Sequence, residues 1–290
     1  IVGPTSSGKS ALAVELARKF GGEVISADSR QVYRGLDIGT GKIRKREMRA
    51  IPHHLLDVAS PKQIFTAHNF VMDAQKAMLD IRRRGKLPII CGGTGFYIDA
   101  LLGRIALPDV PADPKLRARL EKKTTAQLFA LLKKLDPRRA KTIEPHNKRR
   151  LIRAIEIATA LGKSLSPRFH LGGYDVLWVG LSPSDIDLRQ RINARLAQRL
   201  KHGMVAEARQ LHAGGLSYKR MESLGLEYRS LGAFLGGNIT RPELEAELCS
   251  AIWRYARRQI TYWKRNKDIR WFKPERSKAI EHAVATWLKT

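Results

Sequence analysis

The sequence predicts an α/β fold, a parallel sheet flanked by helices, with a helical insertion in the middle of the chain. Three observations lead there. Short apolar strands alternate with amphipathic helices over the first hundred residues, the pattern of a parallel sheet covered on both faces. A glycine-rich turn, Gly3–Ser10, stands between a strand stub and a helix. Residues 104–172 contain no convincing strand and several prolines, and read as helices around 114–122, 125–134 and 147–161. The expected organisation is a discontinuous α/β core, 1–103 and 173–290, around a helical insertion domain, 104–172.

Each element has a local reason. Ile1-Val2 runs straight into Gly3, whereas strands usually hold about five or six residues, so a few further residues are expected ahead of Ile1. In Ala11–Phe20, Leu12, Leu16 and Phe20 share one helical face, and Gly21-Gly22 stops the helix. Glu23–Ala27 reads as a short buried strand, and Ala67–Arg84 as a helix closed by Gly85. Leu87–Cys91 is a second buried strand, ending in Gly92-Gly93-Thr94-Gly95. Beyond the insertion, Asp175–Gly180 restores a strand and long helices follow to the end.

Charge narrows the partners. The 290 residues carry 54 Lys and Arg against 27 Asp and Glu, a net +27. Such an excess costs self-repulsion and points to a polyanion, nucleic acid first. The insertion is densest, with +11 over residues 104–172 against +7 before and +9 after. No apolar run approaches 18 residues, so no transmembrane helix is expected, and no basic amphipathic terminal helix suggests a membrane surface. Cys91 and Cys249 form neither a disulfide framework nor a metal-ligand pair. No signal-peptide pattern opens the chain, and a cytoplasmic monomer is the expectation.

The chemistry starts at Gly3-Pro4-Thr5-Ser6-Ser7-Gly8-Lys9-Ser10, which fits GxxxxGK[ST] at every position and in the required strand–turn–helix context. Glycines let backbone N–H groups face phosphate oxygens, and the following helix N-terminus adds positive potential. Lys9 places a point charge on the leaving phosphates and Ser10 can hold Mg²⁺. The expected core is thus P-loop NTPase-like. Most such proteins carry an acid at the end of a second strand, yet Leu87–Cys91 ends in Gly-Gly-Thr-Gly. The only acid at a strand end beside the loop is Asp28, which reads either as a metal-sphere carboxylate or as a general base at the carboxyl edge of the sheet.

The combination GPTSSGKS, SADSRQVYRGLDIGTGK (Ser26–Lys42), PHHLLD (Pro52–Asp57) and GGTGFY (Gly92–Tyr97) resembles the bacterial-type tRNA dimethylallyltransferases in order and spacing. RRLIRAIEI (Arg149–Ile157) and RRQITYWKR (Arg257–Arg265) extend the likeness almost to the C-terminus. The resemblance implies transfer of a dimethylallyl group from dimethylallyl diphosphate to N6 of adenosine 37 of tRNA, releasing pyrophosphate. No DDxxD prenyl-synthase motif exists in the sequence, so the P-loop would bind the diphosphate. By that resemblance Asp28 accepts the N6 proton, Thr5 and Lys9 contact the diphosphate, Ser10 takes Mg²⁺ and Arg195 clamps pyrophosphate. From spacing alone, Arg191 and Arg195 are equivalent, being four apart on one helical face.

The anticodon stem-loop would meet several elements. Ser29, Arg30 and Gln31 follow Asp28 and are expected to read the extruded base, with Thr94 at the next strand end. The resemblance adds Arg117, and the stretch Arg149, Arg150, Leu151, Ile152 and Arg153 for the anticodon stem. Asn147 caps that helix and Gly162 stops it, while three cations in its first turn oppose the helix dipole, a cost that a phosphate ligand would explain. In the last long helix Ile252, Ala256, Ile260 and Trp263 form a buried stripe, and Arg254, Arg258, Thr261 and Arg265 a second one. By the match to the family's RQxTW-type segment, Arg257, Arg258, Gln259, Thr261 and Lys264 are the expected tRNA contacts there. Tyr262-Trp263-Lys264, and Glu222 and Leu226 within Met221–Tyr228, depart from the family pattern. Cys91 reads as a small buried residue, and the His53-His54 pair as no metal site. Two other activities share parts of this pattern: prenyl transfer to free adenylate, as in cytokinin formation, and a P-loop kinase or NTPase.

Overall fold

The computed structural model describes residues 1–162 and 174–290. They fall into two compact units, Ile1–Leu102 with Gly173–Thr290, and Gly103–Gly172. The expected boundary at 172/173 lies outside the described residues.

The first unit opens with helix α1 (Lys9–Phe20), strand β1 (Gly22–Ser26), the short helix α2 (Lys45–Met48), strand β2 (His53–His54), helix α3 (Ala67–Arg83), strand β3 (Leu87–Cys91) and helix α4 (Gly95–Leu101). β1 lies between β2 and β3, parallel to both, with Val24 opposite His53 and Ile89, and Ser26 opposite Cys91. Ile1-Val2 joins this sheet to the next. The Ile1 nitrogen donates to Ile90 O at 2.6 Å, while Val2 N donates to Val179 O at 2.8 Å. The second pair of strands is β4 (Val179–Leu181) and β5 (Arg270–Phe272), again parallel.

The alternation of a strand sorts side chains to two faces. Ile25 and Ala27 pack with Phe70, Met78 and Ile81 of α3 and Ile98 of α4, and with Trp178 and Trp263. Val24, Ile89 and Cys91 turn the other way, against Leu12, Leu16 and Ala17 of α1 and Ile280 and Val284 of the last helix. Helices therefore cover both faces, as the alternating pattern implies. The rest of this unit is helical: α9 (Asp185–Lys201), α10 (Met204–Ala213), α11 (Tyr218–Ser223), α12 (Leu226–Leu235), the 23-residue α13 (Arg241–Trp263) and α14 (Ser277–Trp287). A second core of Leu188, Leu196, Met204, Leu231, Leu248 and Ala256 holds α9–α13 together with Val32 and Leu36.

The second unit has four helices, α5 (Pro114–Glu121), α6 (Thr125–Leu135), α7 (Pro137–Ala140) and α8 (Lys148–Leu161), and no strand among its described residues. Two of its prolines start helices rather than break them: Pro114 and Pro137 sit in first turns behind the capping carboxylates of Asp113 and Asp136. Asn147 accepts from Arg150 N, and Gly162 ends α8 with φ +66°. Leu120, Leu128, Leu132, Leu151, Ile152 and Ile155 form this unit's own core.

Besides shifts of a residue at several ends, three features differ from expectation. α1 begins at Lys9 rather than Ala11, because the last residues of the glycine-rich motif are already helical. The strand expected at Asp175–Gly180 is confined to Val179–Leu181, the residues that find partners in Val2 and β5. β2 and β5, at two and three residues, are too short to show a periodic pattern.

Glu23 is the one acid inside β1, only 4% exposed. Its carboxylate accepts from both terminal nitrogens of Arg84 and from His54 Nε2 at 2.8 Å. The Arg84 hydrogen bonds pull its pKa down, burial pushes it back part of the way and His54 adds to the pull, leaving it at about 2 against the usual 4.5. A folded value below the unfolded one stabilises above the unfolded pKa, and that stability is lost as pH falls toward about 2. Glu23→Gln is expected to cost about 1–2 kcal/mol near neutral pH, with the two melting curves converging toward about pH 2. Equal melting temperatures for the two proteins at neutral pH would refute this.

Candidate active site

The glycine-rich turn is shaped by contacts that only its own residues satisfy. Gly3 has φ +140°, and a Cβ there would lie 2.6 Å from Leu181 O. Pro4 O accepts from Ser7 N at 3.3 Å and from Lys9 Nζ at 2.6 Å, folding the loop back on itself. Ser6 takes the left-handed region at φ +61°, and Gly8, at φ +95°, starts α1 without a side-chain cap. Ser7 is buried and faces the loop's interior. Thr5, Lys9 and Ser10 line a cleft with Asp28, Gln31, Gly93, Arg195, Tyr255 and Gln259.

Asp28 leaves the carboxyl end of β1 into a bent turn. Its Oδ1 accepts from Arg30 N at 2.8 Å and Gln31 N at 3.4 Å, which orients the carboxylate and leaves Oδ2 for the cleft. Ser29 N donates to Thr94 Oγ1 at 3.0 Å, and Thr94 N donates to Ala27 O at 3.2 Å, so the two strand ends are stapled together. Arg30 lies along Gly225, whose hypothetical Cβ would be 3.0 Å from its Nε.

Arg195 comes from α9. Its Nη2 donates to Gly41 O at 2.6 Å, and Gly41 has no room for a Cβ, which would fall 2.5 Å from that nitrogen. The loop it grips is pinned elsewhere. Glu207 accepts from the backbone N–H groups of Asp37, Ile38 and Gly39 at 2.7–3.0 Å. Buried Lys42 reaches Asp37 and Asp57 at 2.6 and 2.5 Å. Arg191 donates to Glu275 at 3.1 Å and lines an adjoining basin on the other side of the glycine-rich turn's Lys9 and Ser10, a basin that Arg195 and Arg199 also line. The two arginines that spacing leaves equivalent are thus different: Arg195 shares the cleft with Lys9 and Asp28.

Electrostatics set this cleft apart. Burial, offset in part by Cys91 and Asp28 and reinforced by Arg195, lowers the Lys9 pKa to about 8. Burial and then Arg199 pull Arg195 below the ordinary guanidinium range. Glu227, buried beside Arg199, is pushed up by desolvation. Tyr255 is pushed up by burial first and by Asp28 and Glu227 next. Cys91 is a buried wall residue whose thiol burial pushes up. His53 Nδ1 lies 2.8 Å from Ile51 O, and His54 is taken up by Glu23.

The remaining expected contacts are spread more widely, and two assignments need correction. On α13, Arg257 pairs with Asp185 at 2.7 Å, Arg258 lies 5.8 Å from the Tyr255 ring, and Thr261 and Lys264 are exposed. Gln259, expected on that face, is instead buried at 5% exposure, with its amide spent inside the protein. In the second unit Arg149 and Arg150 are exposed, the latter 3.2 Å from Glu144. Leu151 and Ile152 are buried core residues there, since α8 must give one face to its own unit, and their side chains make no surface. Arg117 makes a two-point bond to Glu156 at 2.7 and 2.8 Å, and Arg153 joins the same carboxylate at 3.4 Å. Tyr255, Arg199 and Glu227 were not foreseen. Tyr255 sits one place along from Arg254, and only the packing of α13 on the sheet edge reveals it.

The chain is similar to known proteins along most of its length. Residues 31–266 match the model of the family described as IPP transferase. A tRNA dimethylallyltransferase 2 of Trichlorobacter lovleyi is 44% identical over 91% of this chain and 87% of its own length. One from Thermomicrobium roseum is 40% identical over 94% and 84%. Among solved structures, the full-length tRNA isopentenylpyrophosphate transferase of Bacillus halodurans superposes with a TM-score of 0.76 at 35% identity, covering 99% of this chain and 95% of that one. A eukaryotic dimethylallyltransferase acting on tRNA gives 0.80 at 26% identity over 94% and 72%. With the family model spanning most of its length and relatives at this identity covering nearly all of it, the chain belongs to the IPP transferase family.

Proposed function

We propose that this protein is a tRNA dimethylallyltransferase that moves the dimethylallyl group of dimethylallyl diphosphate onto N6 of adenosine 37. The observation that carries this is the convergence of Lys9, Arg195 and a single oriented carboxylate, Asp28, on one cleft. Cleavage of the allylic C–O bond sends its electron pair to the diphosphate. Lys9, Arg195 and the Thr5 hydroxyl stabilise that developing charge. The N6 lone pair attacks the allylic carbon, and Asp28 takes the N6 proton. Adenosine must leave its stack to reach the cleft, which is the task assigned to Ser29, Arg30, Gln31 and Thr94.

Among the described residues no cluster of three or more His, Cys, Asp or Glu side chains could hold a metal. Mg²⁺ fits here as at other phosphate sites, through the Ser10 hydroxyl, waters and the substrate's own oxygens. When bound it would offset charge on the leaving diphosphate. The exposed cations of α8 (Arg149, Arg150) and α13 (Arg258, Lys264) are assigned to the anticodon stem-loop, and the second unit to tRNA binding as an insertion domain. A monomer is proposed. No helix among the described residues is long and apolar enough to cross a membrane, and a cytoplasmic enzyme is proposed. Free adenylate as acceptor would leave these basic surfaces without a task, and a kinase would lack the acid that Gly92-Gly93 replaces at the end of β3.

Labelled dimethylallyl diphosphate is expected to transfer its label to tRNA and not to AMP; the reverse would refute the assignment, as would ATP hydrolysis without transfer. Asp28→Asn should lower turnover by about 10²–10⁴-fold while tRNA affinity stays within about twofold of wild type; unimpaired turnover would remove Asp28 as the base. A Lys9 pKa of about 8 makes a further prediction. Only the protonated amine attracts diphosphate, so pyrophosphate affinity should fall as pH rises through about 8, and binding should take up a proton. Calorimetry in buffers of different ionisation enthalpy measures that uptake. Lys9→Arg, charged throughout, should lose the Lys9 part of it; identical uptake in both proteins would contradict the assignment.

A further inference from the structure

Gln259 occupies a position that its neighbours reserve for a primary amide. It lies on α13, 5% exposed, between two turns that leave the sheet edge side by side. Its Oε1 accepts from Thr5 N at 2.7 Å, in the glycine-rich turn. Its Nε2 donates to Gly93 O at 3.0 Å, at the end of β3. Gly93 has no space for a side chain, since a Cβ would lie 2.1 Å from that nitrogen. One planar amide thus joins a donor on one turn to an acceptor on the other, a task that needs both halves of the group.

The two turns serve opposite ends of the reaction. Thr5 belongs to the loop that cradles the diphosphate. Gly93 leads directly into Thr94, whose hydroxyl holds Ser29 beside Asp28. The Thr5 N–H is committed to Gln259, so Thr5 reaches the diphosphate through its hydroxyl. We propose that Gln259 is a positioning residue that fixes the spacing between the diphosphate cradle and the wall carrying Asp28, and so sets the distance between the allylic carbon and N6. The proposal rests on the glycine-rich turn being the diphosphate cradle. Gln259 lines the cleft, but both halves of its amide are spent on the two turns, so its removal should be felt in the reaction step more than in binding.

The variants are Gln259→Met, which keeps the length and removes both hydrogen bonds, and Gln259→Glu, which keeps the acceptor for Thr5 and removes the donor to Gly93. Transfer is followed with tRNA and dimethylallyl diphosphate, alongside pyrophosphate binding and melting temperature. For Gln259→Met we expect kcat to fall about 10–100-fold, the scale of an approximately 1 Å misplacement, with each KM within about threefold of wild type. Gln259→Glu should show a kcat loss of the same kind if the methionine variant folds poorly. A raised KM with unchanged kcat in a folded variant would overturn the proposal, as would unchanged kinetics. Lys9→Ala tests the underlying cradle separately: loss of pyrophosphate binding supports it, while retained binding would overturn the cradle assignment and the positioning role with it.

Discussion

The site depends on one close approach, that of the ends of β1 and β3. Ala27 N donates to Cys91 O at 2.9 Å, and Thr94 N donates back to Ala27 O at 3.2 Å, so the parallel pairing runs past the last strand residues into the turns. Gly92 makes this possible, because a Cβ there would lie 2.1 Å from Ala27 O. A parallel sheet delivers all its carboxyl ends to one edge. Holding two of those ends at backbone distance places Asp28 and Thr94 side by side and gives Gln259 a fixed carbonyl to grip. The order Gly-Gly-Thr-Gly after β3 is therefore a steric requirement as much as a chemical one: it excludes the carboxylate that other P-loop enzymes place there and admits α13, whose Tyr262 lies against Gly95.

Charge is organised around that edge by unequal pairing. With 27 acids for 54 Lys and Arg, at most half of the cations can be matched one to one. Several of the acids are spent on holding the fold. Glu23 holds Arg84, Asp37 and Asp57 hold Lys42, Glu156 holds Arg117 and Arg153, and Glu207 is given entirely to backbone N–H groups and the Tyr228 hydroxyl. Each of these pins a loop or a helix. Exposed cations such as Arg149, Arg258 and Lys264 are left to act at longer range, where a folded polyanion gains most and salt screens most.

Much of this was legible in the residues, and the exceptions have physical causes. The glycine-rich turn, β3, α3, α5, α6 and α8 rest on local signals, namely spacing, caps and apolar periodicity, and lie within a few residues of expectation, whereas the short α4 and α7 were not foreseen. β2 and β5 exist because a neighbouring strand completes them, which no local pattern records. Gln259 is the instructive miss. Ile252, Ala256, Gln259 and Trp263 are spaced four, three and four, the buried face of α13, yet the resemblance to the family's segment carried Gln259 to the tRNA contacts. Leu151 and Ile152 were carried there in the same way, with the 149–153 stretch, although α8 buries both. The Arg117–Glu156 pair spans 39 positions, and Thr5–Gln259 spans 254, so neither has a signature along the chain.

Under the proposed function, the same geometry would favour the transition state over the bound substrate. Lys9 and Arg195 are both weakened as cations by burial, and each is a like charge near the other or near Arg199. Such a pair is held in an unfavourable field by packing, through Pro4 O on one side and Gly41 O on the other. Negative charge relieves that field in proportion to its amount. A diphosphate ester carries less charge on its bridging oxygen than the pyrophosphate it becomes, so the relief grows as the C–O bond breaks. Interactions that strengthen along the reaction lower its barrier, whereas equal binding of both states would not. Fixed dipoles and fixed cations gain from this only if they do not move when the charge appears. That is why the backbone contacts around the cleft, with Gln259 among them, belong to its chemistry as much as Lys9 and Asp28 do.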